Sequence, residues 1–161
     1  IDARTMPIHA KATANYANSA LARIEAIKAG FDEALMLNTD GMVVEASGEN
    51  IFIVKNNVLI TPPTASGALE GITRDTVLRL AKDDNIITEI RDISKDELYL
   101  ADEVFFTGTA AEIKAVGEID NRRIGNGGIE KITLQLKSLF DDLTRGNHKY
   151  STEWLSYINI D

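Results

Sequence analysis

Short apolar runs separated by tight turns fill residues 34–61, and this pattern constrains the fold more than any other feature of the chain. Asp40-Gly41 is a strong hairpin signal, because both residues tolerate the backbone angles of a two-residue turn. Asn56-Asn57 provides a second turn. Hairpins join antiparallel strands, so the block favours an antiparallel arrangement over a repeating βαβ unit. The predicted strands lie at 34–37, 42–45, 50–54 and 58–61.

Helices and further strands are predicted on both sides of this block. Thr13 is a candidate N-cap for a helix running to Ala29, whose apolar residues recur at helical spacing. Ser94 and Glu97 form a capping box ahead of a short helix. This order predicts one α+β domain, in which a mixed, partly closed sheet (a pseudo-barrel) is flanked by helices. The remaining predicted elements are helices at 73–82 and 129–143 and strands at 86–90, 103–107 and 113–119.

Charge and composition argue against several classes of function. The chain of 161 residues carries a net charge of -8, so it has no excess of cations to neutralise a nucleic-acid backbone. It has no cysteine, and its two histidines, His9 and His148, are far apart in sequence, so we expect no metal site. No apolar run approaches the ~20 residues that span a bilayer, so we expect no membrane association.

Lys11 is the first of four local signals for chemistry. It lies among small residues just before a predicted helix, where the helix dipole disfavours the ammonium form. A lysine that forms a Schiff base must be neutral to act as a nucleophile. Taken alone, however, a lysine at a helix start is far more often a solvated surface charge.

The other three signals are also ambiguous when taken singly. Glu45 shares a strand face with Val43, and an inward carboxylate there needs a cation or a protonated heterocycle; the alternative is an edge glutamate facing water. Gly71 leads into a helix start, where free N–H groups bind phosphate, although an ordinary cap by Thr73 is common. The turn at 107–111 offers hydroxyls and open backbone to an anion, or is a plain strand-to-loop transition.

Together these segments resemble the branched-chain amino-acid aminotransferases, a family of fold-type IV enzymes that depend on pyridoxal 5'-phosphate (PLP). The likeness runs from about Lys11 to Val116, and the order and spacing of its pieces also fit. Each piece alone is weak, whereas six in order are a specific signal. The pieces are Ala10-Lys11-Ala12 with Asn15-Tyr16, 45–52 (EASGENIF), 61–63 (TPP), 71–75 (GITRD), 99–103 (YLADE) and 107–113 (TGTAAEI).

The resemblance implies a role for each matched residue. Lys11 is implied to hold PLP as a Schiff base and then to move the proton between the substrate Cα and the cofactor C4′. Glu45 is implied to pair with the protonated pyridine nitrogen, which keeps the ring an electron sink. Tyr16 is implied to hydrogen-bond the ring hydroxyl oxygen, and Leu69 to pack on the ring. Ile72, Thr73 and Thr109 are implied to bind the cofactor phosphate, and Gly71 and Gly108 are implied to be further cofactor-binding residues. The implied contacts to the substrate carboxylate are Thr109 and Ala110.

Other residues of the motifs are interpreted as structural. Glu49 and Asn50 are expected to serve turn and core hydrogen bonding. Arg74 and Asp75 are expected to be solvated or paired charges in the first helical turn. Tyr150 and Trp154 are expected to pack against the domain rather than to form a stacking platform.

The resemblance also implies a domain arrangement. Residues 1–12 are expected to form an interdomain segment carrying the lysine, residues 13–146 the PLP-binding large domain, and residues 147–161 a peripheral C-terminal segment. The smaller N-terminal domain of family enzymes, which supplies an arginine to the phosphate, is expected to be absent from this chain, which alone is then expected to bind PLP weakly. A cytoplasmic homodimer or higher homo-oligomer is implied for the full-length protein.

The implied reaction is transamination between branched-chain L-amino acids (leucine, isoleucine, valine) and 2-oxoglutarate, in branched-chain amino-acid biosynthesis. D-Amino-acid aminotransferases, amine transaminases and aminodeoxychorismate lyases share the fold and stay open as alternatives, although the turn at 108–112 resembles the branched-chain group more. A hypothesis of a different class is an inactive domain that binds PLP or another anion, with Lys11 on its surface. A PLP absorbance band would separate the enzyme from the binding module.

Overall fold

A mixed sheet of eight strands forms the framework of the computed structural model, which describes residues 1–2 and 4–158. Its ladders are antiparallel except for one parallel pair, between the fourth and fifth strands. The predicted α+β class with a mixed sheet is therefore confirmed. The strands are β1 (Leu35–Leu37), β2 (Met42–Ala46), β3 (Asn50–Lys55), β4 (Val58–Thr61), β5 (Thr88–Ile90), β6 (Ile93–Ser94), β7 (Glu103–Gly108) and β8 (Glu112–Ala115).

Two ladders branch from the path β1-β2-β3-β4-β5, because β6 pairs with β2 and β7 pairs with both β3 and β8. A separate two-stranded sheet joins β9 (Glu118–Ile119) to β10 (Arg122–Arg123). The described residues also form five α-helices: α1 (Tyr16–Lys28), α2 (Ile72–Asp83), α3 (Lys95–Tyr99), α4 (Lys131–Thr144) and α5 (Ser151–Trp154).

Apolar residues bury both faces of the central strand β3. Ile51 and Ile53 belong to one core cluster, whereas Phe52 and Val54 belong to a second cluster under α2 and α4. Phe52 stacks on Phe105 of β7 with ring centroids 5.1 Å apart. A strand buried on both faces needs an unbroken apolar run instead of alternation, which explains the sequence Ile-Phe-Ile-Val.

The predicted helix cap at Thr13 is wrong. Thr13–Asn15 form a 3-10 turn, and the α-helix begins only at Tyr16. The Asn15 side chain donates hydrogen bonds to the carbonyls of Pro7 and Ala10, both at 2.9 Å. These bonds tie the 3-10 turn to residues 7–10, just ahead of the start of the helix.

The single strand predicted at 113–119 is divided in the structure. Strand β8 ends at Ala115, and β9 then turns away to pair with β10. The break falls at Gly117, where a Cβ would overlap the carbonyl of Gly127. Close approach of two backbones therefore ends the strand there.

The C-terminal segment packs on the second core cluster through aromatic side chains. Tyr150 and Trp154 stack with ring centroids 4.4 Å apart, and the Arg79 guanidinium lies 5.4 Å from the Trp154 ring centroid. Residues 159–161 of the predicted peripheral segment lie outside the described residues, and the domain boundaries stay a prediction. Within residues 1–2 and 4–158, no helix combines the length and apolar character that crossing a bilayer requires.

Candidate active site

A cavity of about 410 Å³ opens where the segment before α1 meets β2, the end of β7 and the loop before α2. Four distant parts of the sequence contribute to its wall. Ala110 is the one predicted site residue outside this wall, and it is exposed in the turn between β7 and β8. The nine predicted site residues in the wall are Lys11, Tyr16, Glu45, Leu69, Gly71, Ile72, Thr73, Gly108 and Thr109.

Lys11 lies on a segment whose backbone is held in place. The Asn15 side chain binds the carbonyls on both sides of the turn that precedes Lys11, and Ala10 N–H donates to the Pro7 carbonyl at 3.0 Å. Among the described residues no carboxylate forms an ion pair with Lys11. The backbone that carries Lys11 is therefore held at the cavity wall, and the Lys11 amine has no ion-pair partner in this part of the chain.

Glu45 is a half-buried carboxylate in the interior of the sheet. Strand β2 lies between β1 and β3, which excludes an edge position for Glu45. Its Oε2 accepts hydrogen bonds from Leu69 N–H at 3.0 Å and from Asn50 Nδ2 at 3.2 Å. Burial raises the pKa of the Glu45 carboxyl above its ordinary value, and the Leu69 hydrogen bond opposes this. No lysine or arginine within the described ranges pairs with it, so a cationic ligand group would be well placed here.

Gly71 precedes the first turn of α2 and lies against the amide of Asn50. Its backbone angles, φ -67 and ψ 132, are open to any residue. A Cβ at this position would nevertheless overlap Asn50 Oδ1, so close packing is the reason for glycine. The first N–H groups of a helix have no partner within the helix and attract anions. Thr73, 7% exposed, adds a hydroxyl at this end of α2.

The variant Gly71→Ala is expected to be less stable than the wild-type chain by about 1–3 kcal/mol, the usual cost of overpacking a well-filled site. The added methyl must displace either the Asn50 amide or the loop backbone. Gly48→Ala is the matched control, because a Cβ at position 48 meets nothing within 4 Å. Urea unfolding of both variants measures the difference, and equal unfolding free energies would contradict the packing argument.

Glu49, in the wall of the cavity, lies close to the carboxyl group of Glu33. Burial is the main reason why the pKa of Glu49 is raised, and the nearby Glu33 carboxylate raises it further, while Arg23 and Lys114 act in the opposite direction. Glu49 Oε2 is buried and has no hydrogen-bond partner among the described residues. A proton held between the two carboxyl groups would satisfy this atom.

Replacing Glu49 with glutamine is expected to flatten the dependence of stability on pH. A carboxyl whose pKa is raised in the folded state binds its proton more tightly there than in the unfolded chain. The folded state therefore loses stability as pH rises through that pKa. Unfolding free energies at about pH 5 and about pH 8 should differ more for the wild-type chain than for Glu49→Gln. The exposed substitution Glu25→Gln is the control, and identical pH profiles for all three chains would refute the shared proton.

Arg74 corrects one interpretation of the sequence. It is only 8% exposed, and its Nη2 donates to the Pro62 carbonyl at 3.0 Å, so it is neither solvated nor ion-paired within the described part of the chain. Asp75 fits the expectation, since its carboxylate pairs with Arg79 at 2.9 Å. Helical spacing was the missed signal, because Arg74 lies three and seven residues before the buried Val77 and Ala81.

Asn50 has a larger part in the site than turn and core hydrogen bonding alone implies. Its Nδ2 also donates to the Leu69 carbonyl at 2.9 Å, so a single amide joins β2, β3 and the loop before α2. The motif at 45–52 includes Asn50, but no feature of the sequence indicates this partner, which lies 19 residues away. Within the described ranges, no group of three or more histidine, cysteine, aspartate or glutamate residues is arranged to hold a metal ion.

Residues 2–119 match the family model described as amino-transferase class IV. The probable branched-chain-amino-acid aminotransferase of Aquifex aeolicus (strain VF5) is 49% identical over 156 residues, which cover 96% of this chain and 50% of that protein. The putative branched-chain-amino-acid aminotransferase of Methanocaldococcus jannaschii is 53% identical over 129 residues, which cover 80% of this chain and 45% of that protein. The chain thus spans about half the length of the curated relatives it matches.

A solved structure shows the same fold. The branched-chain amino acid aminotransferase from Thermobaculum terrenum, in its PLP-form (holo-form), gives a TM-score of 0.94 at 42% identity, and the match covers 97% of this chain and 51% of that one. The similarity therefore extends over nearly the whole of this chain.

Proposed function

Because the chain belongs to the class IV aminotransferase family, we propose that it forms the cofactor-binding part of a PLP-dependent aminotransferase that transfers amino groups between branched-chain L-amino acids and 2-oxoglutarate. One observation carries the proposal. A lysine without an internal partner, a desolvated carboxylate and a helix N-terminus line a single cavity of about 410 Å³. Each is weak evidence alone, but PLP is a ligand that uses all three.

The chemistry of the cavity wall fits PLP group by group. The Lys11 amine suits the aldehyde, and the Glu45 carboxylate suits a protonated ring nitrogen. The first turn of α2, approached closely through Gly71, suits the dianionic phosphate. The remaining proposed contacts are Tyr16 to the ring hydroxyl, Leu69 to the ring face, and Ile72, Thr73, Gly108 and Thr109 around the phosphate.

When bound, PLP supplies an electron sink for the negative charge that develops at the substrate Cα. Lys11 would hold the cofactor through Nζ, and the released amine would then take the proton from the substrate Cα. Glu45 would keep the ring nitrogen protonated, because its partly desolvated carboxylate has no other cation to stabilise it among the described residues. The amides of Thr109 and Ala110 would orient the substrate carboxylate.

The branched-chain substrate class is proposed from the likeness to the proteins of that name, at 49% and 53% identity. D-Amino-acid aminotransferase, amine transaminase and aminodeoxychorismate lyase activities are the alternatives within the fold. Substrate scope in this family depends on parts outside the large domain, so assays decide between them.

A homodimer or higher homo-oligomer is part of the proposal, as is a cytoplasmic location. Helix α1 supports the proposed oligomer, because it has no buried residue. Its side chains Leu21, Ile24 and Ile27 have exposed fractions of 64%, 48% and 55%. Residues at this spacing form one apolar stripe, which a neighbouring domain or subunit would cover. Light scattering of the full-length protein gives the oligomeric state, and cell fractionation gives the location.

Turnover assays with PLP test the proposed function. The expected result is glutamate formation from 2-oxoglutarate with L-leucine, L-isoleucine or L-valine as amino donor, at rates well above those with D-alanine or a primary amine. Higher rates with D-alanine, with a primary amine or with aminodeoxychorismate would move the protein to the corresponding alternative. If the full-length protein shows neither turnover nor a PLP absorbance band, the enzyme proposal is overturned.

A further inference from the structure

The side-chain amide of Asn50 uses both of its protons at the cavity wall. One goes to Glu45 Oε2 at 3.2 Å, and the other goes to the Leu69 carbonyl at 2.9 Å. Leu69 N–H closes the ring by donating to the same Glu45 oxygen at 3.0 Å. Asn50 itself is 6% exposed, so solvent does not compete effectively for these bonds. Among short uncharged side chains, only an amide offers two donors from one atom, since a hydroxyl offers one.

The third polar position of Asn50 faces the loop that leads into α2. A Cβ at Gly71 would overlap Asn50 Oδ1, so the loop backbone lies directly on the amide. Gly71 N–H donates to the Leu69 carbonyl at 2.9 Å, and the Gly71 carbonyl accepts from Asp75 N–H at 3.0 Å in the first turn of α2. Asn50 therefore contacts the loop on both sides of Glu70, just where the helix N-terminus is set.

These contacts place one side chain between two parts of the cavity that bind different groups of a ligand. We infer that Asn50 is a positioning residue that couples the carboxylate of Glu45 to the anion-binding start of α2, so that the ring and the phosphate of one cofactor molecule are held in register. The inference rests on the proposed function, because PLP is the ligand whose ring nitrogen and phosphate would occupy the two parts.

The coupling predicts a pattern that differs from simple destabilisation. Glu45→Gln should weaken the binding of PLP and of pyridoxal, which lacks the phosphate, by similar factors. Thr73→Ala should weaken PLP alone. Asn50→Ala should do both. It should lower the affinity for pyridoxal, and it should also reduce the advantage of PLP over pyridoxal by roughly 2- to 12-fold, the range expected for losing one hydrogen bond between neutral groups at the Leu69 carbonyl.

The experiment measures the dissociation constants of PLP and pyridoxal for the full-length protein by absorbance titration, together with the spectrum of the bound cofactor. We expect the spectrum of Asn50→Ala to shift in the same direction as that of Glu45→Gln, because Glu45→Gln removes the carboxylate beside the ring nitrogen and Asn50→Ala removes a hydrogen bond that holds this carboxylate in place. The double variant Glu45→Gln/Asn50→Ala should bind pyridoxal little more weakly than the weaker of the two single variants. This non-additivity is expected of residues that act as a unit. Thr133→Val is the control, since Thr133 is 1% exposed on α4 and its hydroxyl has no hydrogen-bond partner among the described residues.

Two results would overturn this inference in different ways. If Asn50→Ala lowers the unfolding free energy but leaves the PLP-to-pyridoxal ratio and the bound spectrum as in the wild-type chain, Asn50 is a structural residue only. If the wild-type full-length protein binds neither PLP nor pyridoxal, the proposed function fails and this inference fails with it. The wild-type titration separates the two cases before any variant is examined.

Discussion

In the full-length protein, substituting Lys11 with alanine is expected to reduce the rate of amino transfer roughly 10²–10⁴-fold or more, the range that a positioned proton-transferring group supplies. The loss should be larger than for any other single side chain, because Lys11 is proposed both to hold the cofactor and to move the substrate proton. Stability should change little, since Lys11 is exposed and no described carboxylate pairs with it.

Two further variants sharpen this test. Lys28→Ala removes an exposed lysine from the last turn of α1 and is expected to keep wild-type turnover. Lys11→Arg keeps the positive charge but replaces a titratable amine with a group that stays protonated, so it should be as inactive as Lys11→Ala. Turnover within a few-fold of the wild-type rate in either Lys11 variant would remove Lys11 from the chemistry.

The variant Glu45→Gln is expected to separate activity from stability. A glutamine can still accept hydrogen bonds from Leu69 N–H and Asn50 Nδ2 through its oxygen, so the local structure should persist. Because the pKa of Glu45 is raised by burial, ionisation of this carboxyl at neutral pH works against folding, and the neutral amide should leave the unfolding free energy equal or higher. Turnover should nevertheless fall by roughly 10²–10³-fold, the usual effect of losing one preorganised charge at a reacting centre.

Steady-state rates measure the expected loss of turnover in Glu45→Gln. Urea unfolding of the same protein samples measures the unfolding free energy. The exposed substitution Glu25→Gln serves as the control for loss of one negative charge. A Glu45→Gln chain that keeps nearly full turnover would show that the carboxylate does not serve the ring nitrogen. A chain that loses turnover and unfolds easily would indicate instead that Glu45 is needed for folding.

Local signals in the sequence predicted those elements whose causes are local. Asn56 and Asn57 adopt positive φ angles of 51° and 63° in the turn between β3 and β4, as the hairpin interpretation requires. Ser94 and Glu97 form the predicted capping box in both directions. In each case the residues that determine the conformation lie within a few positions of one another, so spacing alone identifies them.

Contacts between distant segments were not predictable from spacing. Glu103 on β7 caps α4 by accepting Ile132 N–H at 3.0 Å and Thr133 N–H at 2.7 Å, yet it lies 29 and 30 residues earlier in the chain. For Arg74, helical spacing indicates burial, but it does not show that the guanidinium binds the carbonyl of Pro62, 12 residues away. Such partners become visible only when the sheet and helices are assembled.

The candidate site shows the same division. Motif resemblance named nine residues of the cavity wall, because the motifs are short and keep their order. It did not show that Asn50 ties Glu45 to Leu69, or that the Gly71 backbone lies on the Asn50 amide. Those relations depend on the register between β2 and β3, where Glu45 pairs with Asn50, and on the position of the loop.

Borohydride reduction of the full-length protein with bound PLP, followed by peptide mapping, identifies the lysine that holds the cofactor. Reduction converts an imine between the cofactor and a lysine into a stable amine, which labels the peptide that carries it. We expect one labelled peptide containing Lys11 in the wild-type protein and no label at that peptide in Lys11→Ala. A label on a different lysine, or bound PLP that leaves no label on Lys11, would contradict the assignment of this cavity as the cofactor site.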